Sequence, residues 1–181
     1  MAALVWCAIF YFGKEKMNIK NLSKTQKLTI SALVIACYIV IMYITQSFAF
    51  GQYQVRIATA IYGLAYLFPF LVVPLGLSNM LSNMVMGGLG FFDIVGGGAV
   101  GILTALCCML IGKKKLDPLF VAVPIAVIPA FGVSLWLSKI LGVPYLVLAG
   151  SLLVGQVIAG VAGGILVKAL SKAFGVENEQ K

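Results

Sequence analysis

The chain has 181 residues, of which 62% are hydrophobic and 10% charged; its net charge is +8 and it contains no histidine. So few charged residues cannot form the polar surface of a soluble domain of this length, so we predict a polytopic membrane protein folded as one compact domain. The absence of histidine removes the commonest metal ligand and any nucleophile–histidine–acid set. The absence of a Walker-type phosphate loop excludes ATP hydrolysis by that route, and we expect no enzyme activity, metal or cofactor.

Six membrane-spanning helices are predicted from the apolar stretches, because a helix that crosses a bilayer needs about 20 apolar residues. Pro69 divides the long stretch 55–86 into two short helices, since proline disfavours helix in front of itself. A glycine-rich loop at Gly87–Gly90 separates the third and fourth helices. The predicted helices are Leu28–Phe48, Val55–Phe68, Phe70–Val85, Asp93–Ile111, Pro118–Lys139 and Tyr145–Leu170.

The predicted domain organisation is one all-α bundle, residues 28–170, between a lead-in of residues 1–27 and a tail of residues 171–181. Met17 resembles a natural start, in which case residues 1–16 are an upstream extension; a functional extra segment is the alternative. These first residues do not read as a signal peptide, because their lysines follow the apolar run instead of preceding it.

The lysines predict the orientation of the bundle. With six spans, the lysine groups before the first helix, between the fourth and fifth helices and after the sixth helix fall on one side. Cytoplasmic loops are enriched in lysine and arginine, so we expect this side and both termini to be cytoplasmic. The lysines concerned are Lys14, Lys16, Lys20, Lys24, Lys27, Lys113, Lys114, Lys115, Lys168 and Lys172.

The uncommon polar and aromatic residues lie mostly at the outer ends of the predicted helices, where they could converge on one pocket. Isolated charges in membrane segments often mark function, and aromatic rings could stack on a planar ligand. The candidate ligand-binding residues are Gln52, Gln54, Arg56, Asn79, Asn83, Phe91, Phe92, Asp93 and Trp136.

Each candidate also has a structural interpretation. Asp93 could cap the fourth helix or pair with Arg56, and Arg56 could anchor the chain at the interface. The aromatic residues could belong to an interfacial belt. The two asparagines could serve only as hydrogen-bonding groups between helices, and the same two interpretations are open for Gln156 in the sixth helix.

Three groups of residues follow one another in the sequence: Gln54-Val55-Arg56-Ile57, then Gly76 and Asn83, then the run from Gly88 to Gly97. In this order and spacing they resemble the QueT-type family of substrate-binding S components of energy-coupling factor (ECF) transporters. The resemblance covers roughly residues 24–172 and is strongest between residues 52 and 101.

The resemblance implies a six-helix subunit of the bacterial cytoplasmic membrane that captures queuine or another 7-deazaguanine precursor of queuosine from outside. Such subunits pair with a transmembrane coupling subunit and two ATPases, and topple in the membrane to release the ligand. An alanine motif on the first helix commonly contacts the coupling subunit; Ala32 and Ala36, one turn apart, match it here.

One position departs from the family pattern, which has an acidic residue three positions after the arginine. Thr59 stands there in this chain. Either Asp93 accepts hydrogen bonds from the base in its place, or the ligand is a different vitamin-like compound. A stand-alone small-solute carrier is the remaining alternative.

Overall fold

The computed structural model describes residues 22–49, 55–86 and 89–174, and this part of the chain is built from helices. In chain order the helices are α1 (Lys24–Ile44), α2 (Gln46–Ala49), a 3-10 helix (Ile57–Tyr66), α3 (Val72–Val85), α4 (Phe91–Lys113), α5 (Ala122–Leu141) and α6 (Tyr145–Ala173). Two short 3-10 turns, Pro69–Leu71 and Pro118–Val121, lead into α3 and α5. The order of the six predicted helices is therefore confirmed within the described residues, and the prediction about Met17 and residues 1–16 lies outside them.

Helix α1 begins four residues before the predicted start, because Ser23 caps it. The Ser23 side chain accepts from the backbone N–H of Gln26, whose side chain accepts from the backbone N–H of Ser23 in turn. This reciprocal capping box satisfies two donors that a helix start leaves without partners. The helix ends at Ile44, so the predicted continuous helix to Phe48 is wrong: Thr45 is a turn between α1 and α2.

The predicted break near Pro69 is confirmed, but the segment before it is a 3-10 helix. A 3-10 helix rises about 2.0 Å per residue, so ten residues reach about 20 Å, compared with about 15 Å in an α-helix. Ala58 to Tyr66 are all buried, so this helix is central in the bundle. Small residues allow the close approach: a Cβ on Gly163 would lie 2.9 Å from the carbonyl oxygen of Ala60.

Four helices of the described chain are long and apolar enough to cross a membrane: Lys24–Ile44, Phe91–Lys113, Pro118–Leu141 and Tyr145–Ala173. Two shorter apolar helices, Ile57–Tyr66 and Pro69–Val85, accompany them. Only 11% of the apolar window of α1 is buried, whereas the windows of the other three long helices are 39–44% buried. One face of α1 is therefore unpartnered by the bundle.

Candidate functional site

Arg56 is a cation in the interior of the protein, directly before the 3-10 helix, and its side chain is only 4% exposed. Its Nη1 donates to Oδ1 of Asn79 at 3.4 Å and to Oδ1 of Asn83 at 3.3 Å. The two asparagines lie one turn apart on α3, on the same face of the helix. The buried guanidinium is therefore held by two amide oxygens that α3 supplies.

Helix α4 fixes the orientation of both amides. Nδ2 of Asn79 donates to the carbonyl oxygen of Gly97 at 2.7 Å, and Nδ2 of Asn83 donates to that of Asp93 at 2.9 Å. Because each nitrogen is committed to α4, each oxygen is turned toward Arg56. A Cβ on Gly97 would lie 2.7 Å from Nδ2 of Asn83, so the absence of a side chain there makes room for the amide.

Asp93 lies in the first turn of α4 and is 2% exposed. Its Oδ1 accepts from Nε1 of Trp136 at 3.2 Å, and its Oδ2 accepts from the backbone N–H of Leu89 at 3.3 Å. A carboxylate at a helix N-terminus also interacts favourably with the helix dipole. Asp93 thus ties the segment before α4 to α5, and it adjoins the Arg56 network through its backbone.

A small cavity lies beside Arg56, with a volume of about 10 Å³, which is room for about one water. Of the candidate residues from the sequence, Arg56 and Asn79 line it. Its polar wall is completed by Thr59, Tyr62 and Gln156, and the apolar wall is formed by Val100, Pro129, Val133 and Leu152. A bicyclic base is much larger than one water, so binding one requires the cavity to widen.

Thr59 and Gln156 are the functional candidates that the sequence reasoning did not select. The hydroxyl of Thr59 donates to Oε1 of Gln156 at 2.8 Å and also lies 2.7 Å from the carbonyl oxygen of Arg56. Both side chains are buried, at 2% and 3% exposure. A lone glutamine in an apolar helix was the signal for Gln156, but the sequence does not show that Thr59, 97 residues away, contacts it.

Tyr62 connects the cavity to α1. Its hydroxyl lies 3.2 Å from that of Tyr38, and the two rings stack with their centroids 5.8 Å apart. Both side chains are essentially fully buried. The cavity wall and α1 are therefore joined by one hydrogen bond and one ring contact.

The remaining candidates lie elsewhere. Phe91 and Phe92 are 73% and 70% exposed at the start of α4 and do not line the cavity. Trp136 also does not line it, but its Nε1 donates to Asp93. Ala32 and Ala36 are exposed on α1. Gln52 and Gln54 lie outside the described residues.

The described lining of the cavity has one charged side chain, that of Arg56. Its other polar groups are amides and hydroxyls, which both donate and accept. No three side chains of His, Cys, Asp or Glu lie together as metal ligands in the described part of the chain. The described lining therefore offers one positive charge, several groups that donate or accept hydrogen bonds, and an apolar wall.

Comparison with known proteins gives one match. A family model described as "QueT transporter" matches residues 28–172, which is most of the chain. No curated protein and no solved structure matches.

Proposed function

Because the chain belongs to the QueT transporter family, we propose that it is the substrate-capture subunit, or S component, of an ECF-type importer for queuine or a related 7-deazaguanine. Membership of this family makes it a multi-pass membrane transport protein. The ligand assignment also draws on the site, and the partner assignment draws on the sequence and on α1.

The observation that carries the proposal is the buried polar cavity beside Arg56. Polar and charged groups inside a membrane bundle are costly, and those that persist commonly serve a ligand or ion. Here Arg56 is held by Asn79 and Asn83, and Thr59 and Gln156 complete the polar wall. Such a wall can meet the donor and acceptor edge of a guanine-type base, and the apolar wall can cover its faces.

The candidate residues have different proposed roles. Arg56 and Asn79 contact the ligand directly, since they line the cavity. Asn83, Asp93 and Trp136 position the site, because they hold the arginine or hold each other.

The remaining candidate residues are Phe91, Phe92, Gln52 and Gln54. Stacking by Phe91 or Phe92 stays a prediction and requires the start of α4 to move over the cavity. Contacts from Gln52 and Gln54 also stay predictions.

The absence of a Walker-type loop from the sequence supports an external energy source. The proposed partners are a transmembrane coupling subunit and two ATPases. The exposed face of α1 carrying Ala32 and Ala36 is the proposed docking surface, since small residues permit close helix approach in lipid. We also propose that both termini face the cytoplasm, because the lysine groups lie at the corresponding helix ends.

Thr59 favours a second candidate, another vitamin-like ligand bound by the same kind of subunit. The resemblance implies a carboxylate at this position, and a hydroxyl accepts hydrogen bonds from adjacent ring N–H groups less strongly. The two candidates share the fold, the partners and the cavity, and they differ in the ligand alone.

Two measurements test the proposal. Mass spectrometry of the small molecule that co-purifies with the protein in detergent should identify a 7-deazaguanine. A thiamin-like or flavin-like molecule would show that the ligand assignment is wrong. Arg56→Ala and Asp93→Asn should each weaken binding at least tenfold. If both variants bind within a few-fold of the wild-type protein, the site is wrong.

Co-expression with the neighbouring genes tests the partners. Tagged protein should bring down two ATPases and a coupling subunit, while purification of the chain by itself would support a stand-alone carrier. Because these outcomes do not depend on the ligand, they test the S-component assignment separately.

A further inference from the structure

Gln156 presents a buried amide whose nitrogen has no partner among the described residues. The side chain lies in the middle of α6, is 3% exposed and lines the cavity. Its Oε1 accepts from Thr59, but no described residue accepts a hydrogen bond from its Nε2. A donor without a protein partner in the wall of a cavity is available to a polar atom of a ligand.

Thr59 contacts the Gln156 amide and influences which end of it is available. Its hydroxyl lies between Oε1 of Gln156 and the carbonyl oxygen of Arg56, at 2.8 and 2.7 Å. A hydroxyl has one hydrogen, so these two oxygens compete for it; when Thr59 donates to Oε1, the nitrogen end of the amide is left as the donor. An amide oxygen has two acceptor positions, so Oε1 can still accept one more hydrogen bond.

We propose that Gln156 reads a cis-lactam edge, the adjacent C=O and N–H of a planar ring, and is thereby the specificity-determining residue of the cavity. Nε2 donates to the ring carbonyl oxygen, and Oε1 accepts from the neighbouring ring N–H. Arg56, which lies directly before the 3-10 helix and lines the same cavity, supplies a further donor to this carbonyl oxygen. This inference rests on the proposed function, and the 6-oxo and 1-NH groups of a 7-deazaguanine form such an edge.

The same arrangement gives a role to Thr59. A carboxylate would accept from ring N–H groups but would have no donor for the carbonyl oxygen. The Thr59–Gln156 pair offers one acceptor and one donor side by side. A site of this kind rejects an analogue whose edge has the reverse pattern, because the buried groups of the protein are then left without partners.

The test compares two probes that differ in this edge only. The purified full chain in detergent is titrated with 7-deazaguanine and with 2,6-diamino-7-deazapurine, in which the carbonyl becomes an amino group and the ring N–H becomes an acceptor. The wild-type protein should bind the lactam at least 30-fold more tightly.

Two variants test whether the Gln156 amide causes the preference for the lactam. Gln156→Leu should reduce the ratio of the two affinities to within about threefold of unity, and Thr59→Val should reduce it partly, because the amide is then free to turn. Ser151→Ala is the matched control on α6: this half-buried serine bonds to the carbonyl oxygen of Leu148 in its own helix and does not line the cavity. It should keep the wild-type ratio.

The outcomes separate this inference from the proposed function. A wild-type protein that binds 7-deazaguanine, with Gln156→Leu keeping the full lactam preference, overturns the role of Gln156 and leaves the transporter assignment standing. A wild-type protein that binds neither probe overturns the ligand assignment and this inference with it. Loss of the preference in Gln156→Leu, with the control unchanged, supports the inference.

Discussion

Gly97→Ala tests whether the two asparagines of α3 position Arg56. A Cβ at this position would lie 2.7 Å from Nδ2 of Asn83 and 3.3 Å from Nδ2 of Asn79, and ordinary contact begins at 3.4 Å. The Asn83 amide must therefore move by several tenths of an ångström. Its bond to Arg56 is already 3.3 Å long, and a shift of that size weakens or breaks it.

The expected magnitude follows from that bond. A hydrogen bond to a charged group contributes about 1.5–3 kcal/mol. If poorer positioning of Arg56 makes the free energy of ligand binding about 2 kcal/mol less favourable, the ligand binds roughly 30-fold more weakly, since about 1.4 kcal/mol is a factor of ten. Gly97 does not line the cavity, so the effect must pass through the amides.

Gly98→Ala is the matched control in the same helix. Its Cβ would meet Cγ of Met80 at 3.1 Å, and a flexible methionine side chain can adjust. Isothermal titration of both purified variants with 7-deazaguanine gives the affinities, and thermal unfolding in detergent reports damage to the fold. If the two variants bind equally well, the asparagines do not position Arg56 and the reasoning fails.

Three further predictions concern packing and topology. Gly160→Ala should lower the thermal midpoint, because its Cβ would lie 2.6 Å from a backbone oxygen at the start of α5 and overpacking costs about 1–3 kcal/mol. The control is Gly150→Ala in the same helix, whose Cβ meets nothing within 4 Å and which should raise the midpoint slightly. Equal midpoints for the two variants would contradict the close packing at Gly160. In a cysteine-free background, a membrane-impermeant maleimide added to intact cells should label Phe91→Cys and spare Lys114→Cys, and the reverse pattern would invert the proposed orientation. Tyr38→Phe removes the hydrogen bond between α1 and the 3-10 helix and should cost about 1 kcal/mol of stability, measured as a lower thermal midpoint; an unchanged midpoint would show that the bond contributes nothing.

The outline of the fold could be predicted from the sequence because lipid imposes simple constraints. The lengths of the apolar runs predicted the helices, and Pro69 predicted the break between the second and third. The scarcity of charge singled out Arg56, and the spacing of Asn79 and Asn83 placed both on one helix face, where the structure has them.

The type of the second helix could not be predicted in the same way. The apolar run before Pro69 predicts a buried helix, but an α-helix and a 3-10 helix can both bury such a run, so the run does not predict the helix type. Contacts with other helices, such as that of Gly163 with Ala60, accompany the narrower form. These contacts join residues far apart in the chain, and local propensity does not contain them.

The sequence by itself determined the class of protein and singled out Arg56 as a rare cation among apolar segments, since both can be read from composition and from the order of residues along the chain. Only the tertiary structure decided which groups surround that cation. It joined Thr59 to Gln156 across 97 residues and occupied both oxygens of Asp93 with donors from Trp136 and Leu89. Hydrogen bonds between helices depend on how the helices are rotated and stacked against one another, and packing of the whole bundle determines that arrangement.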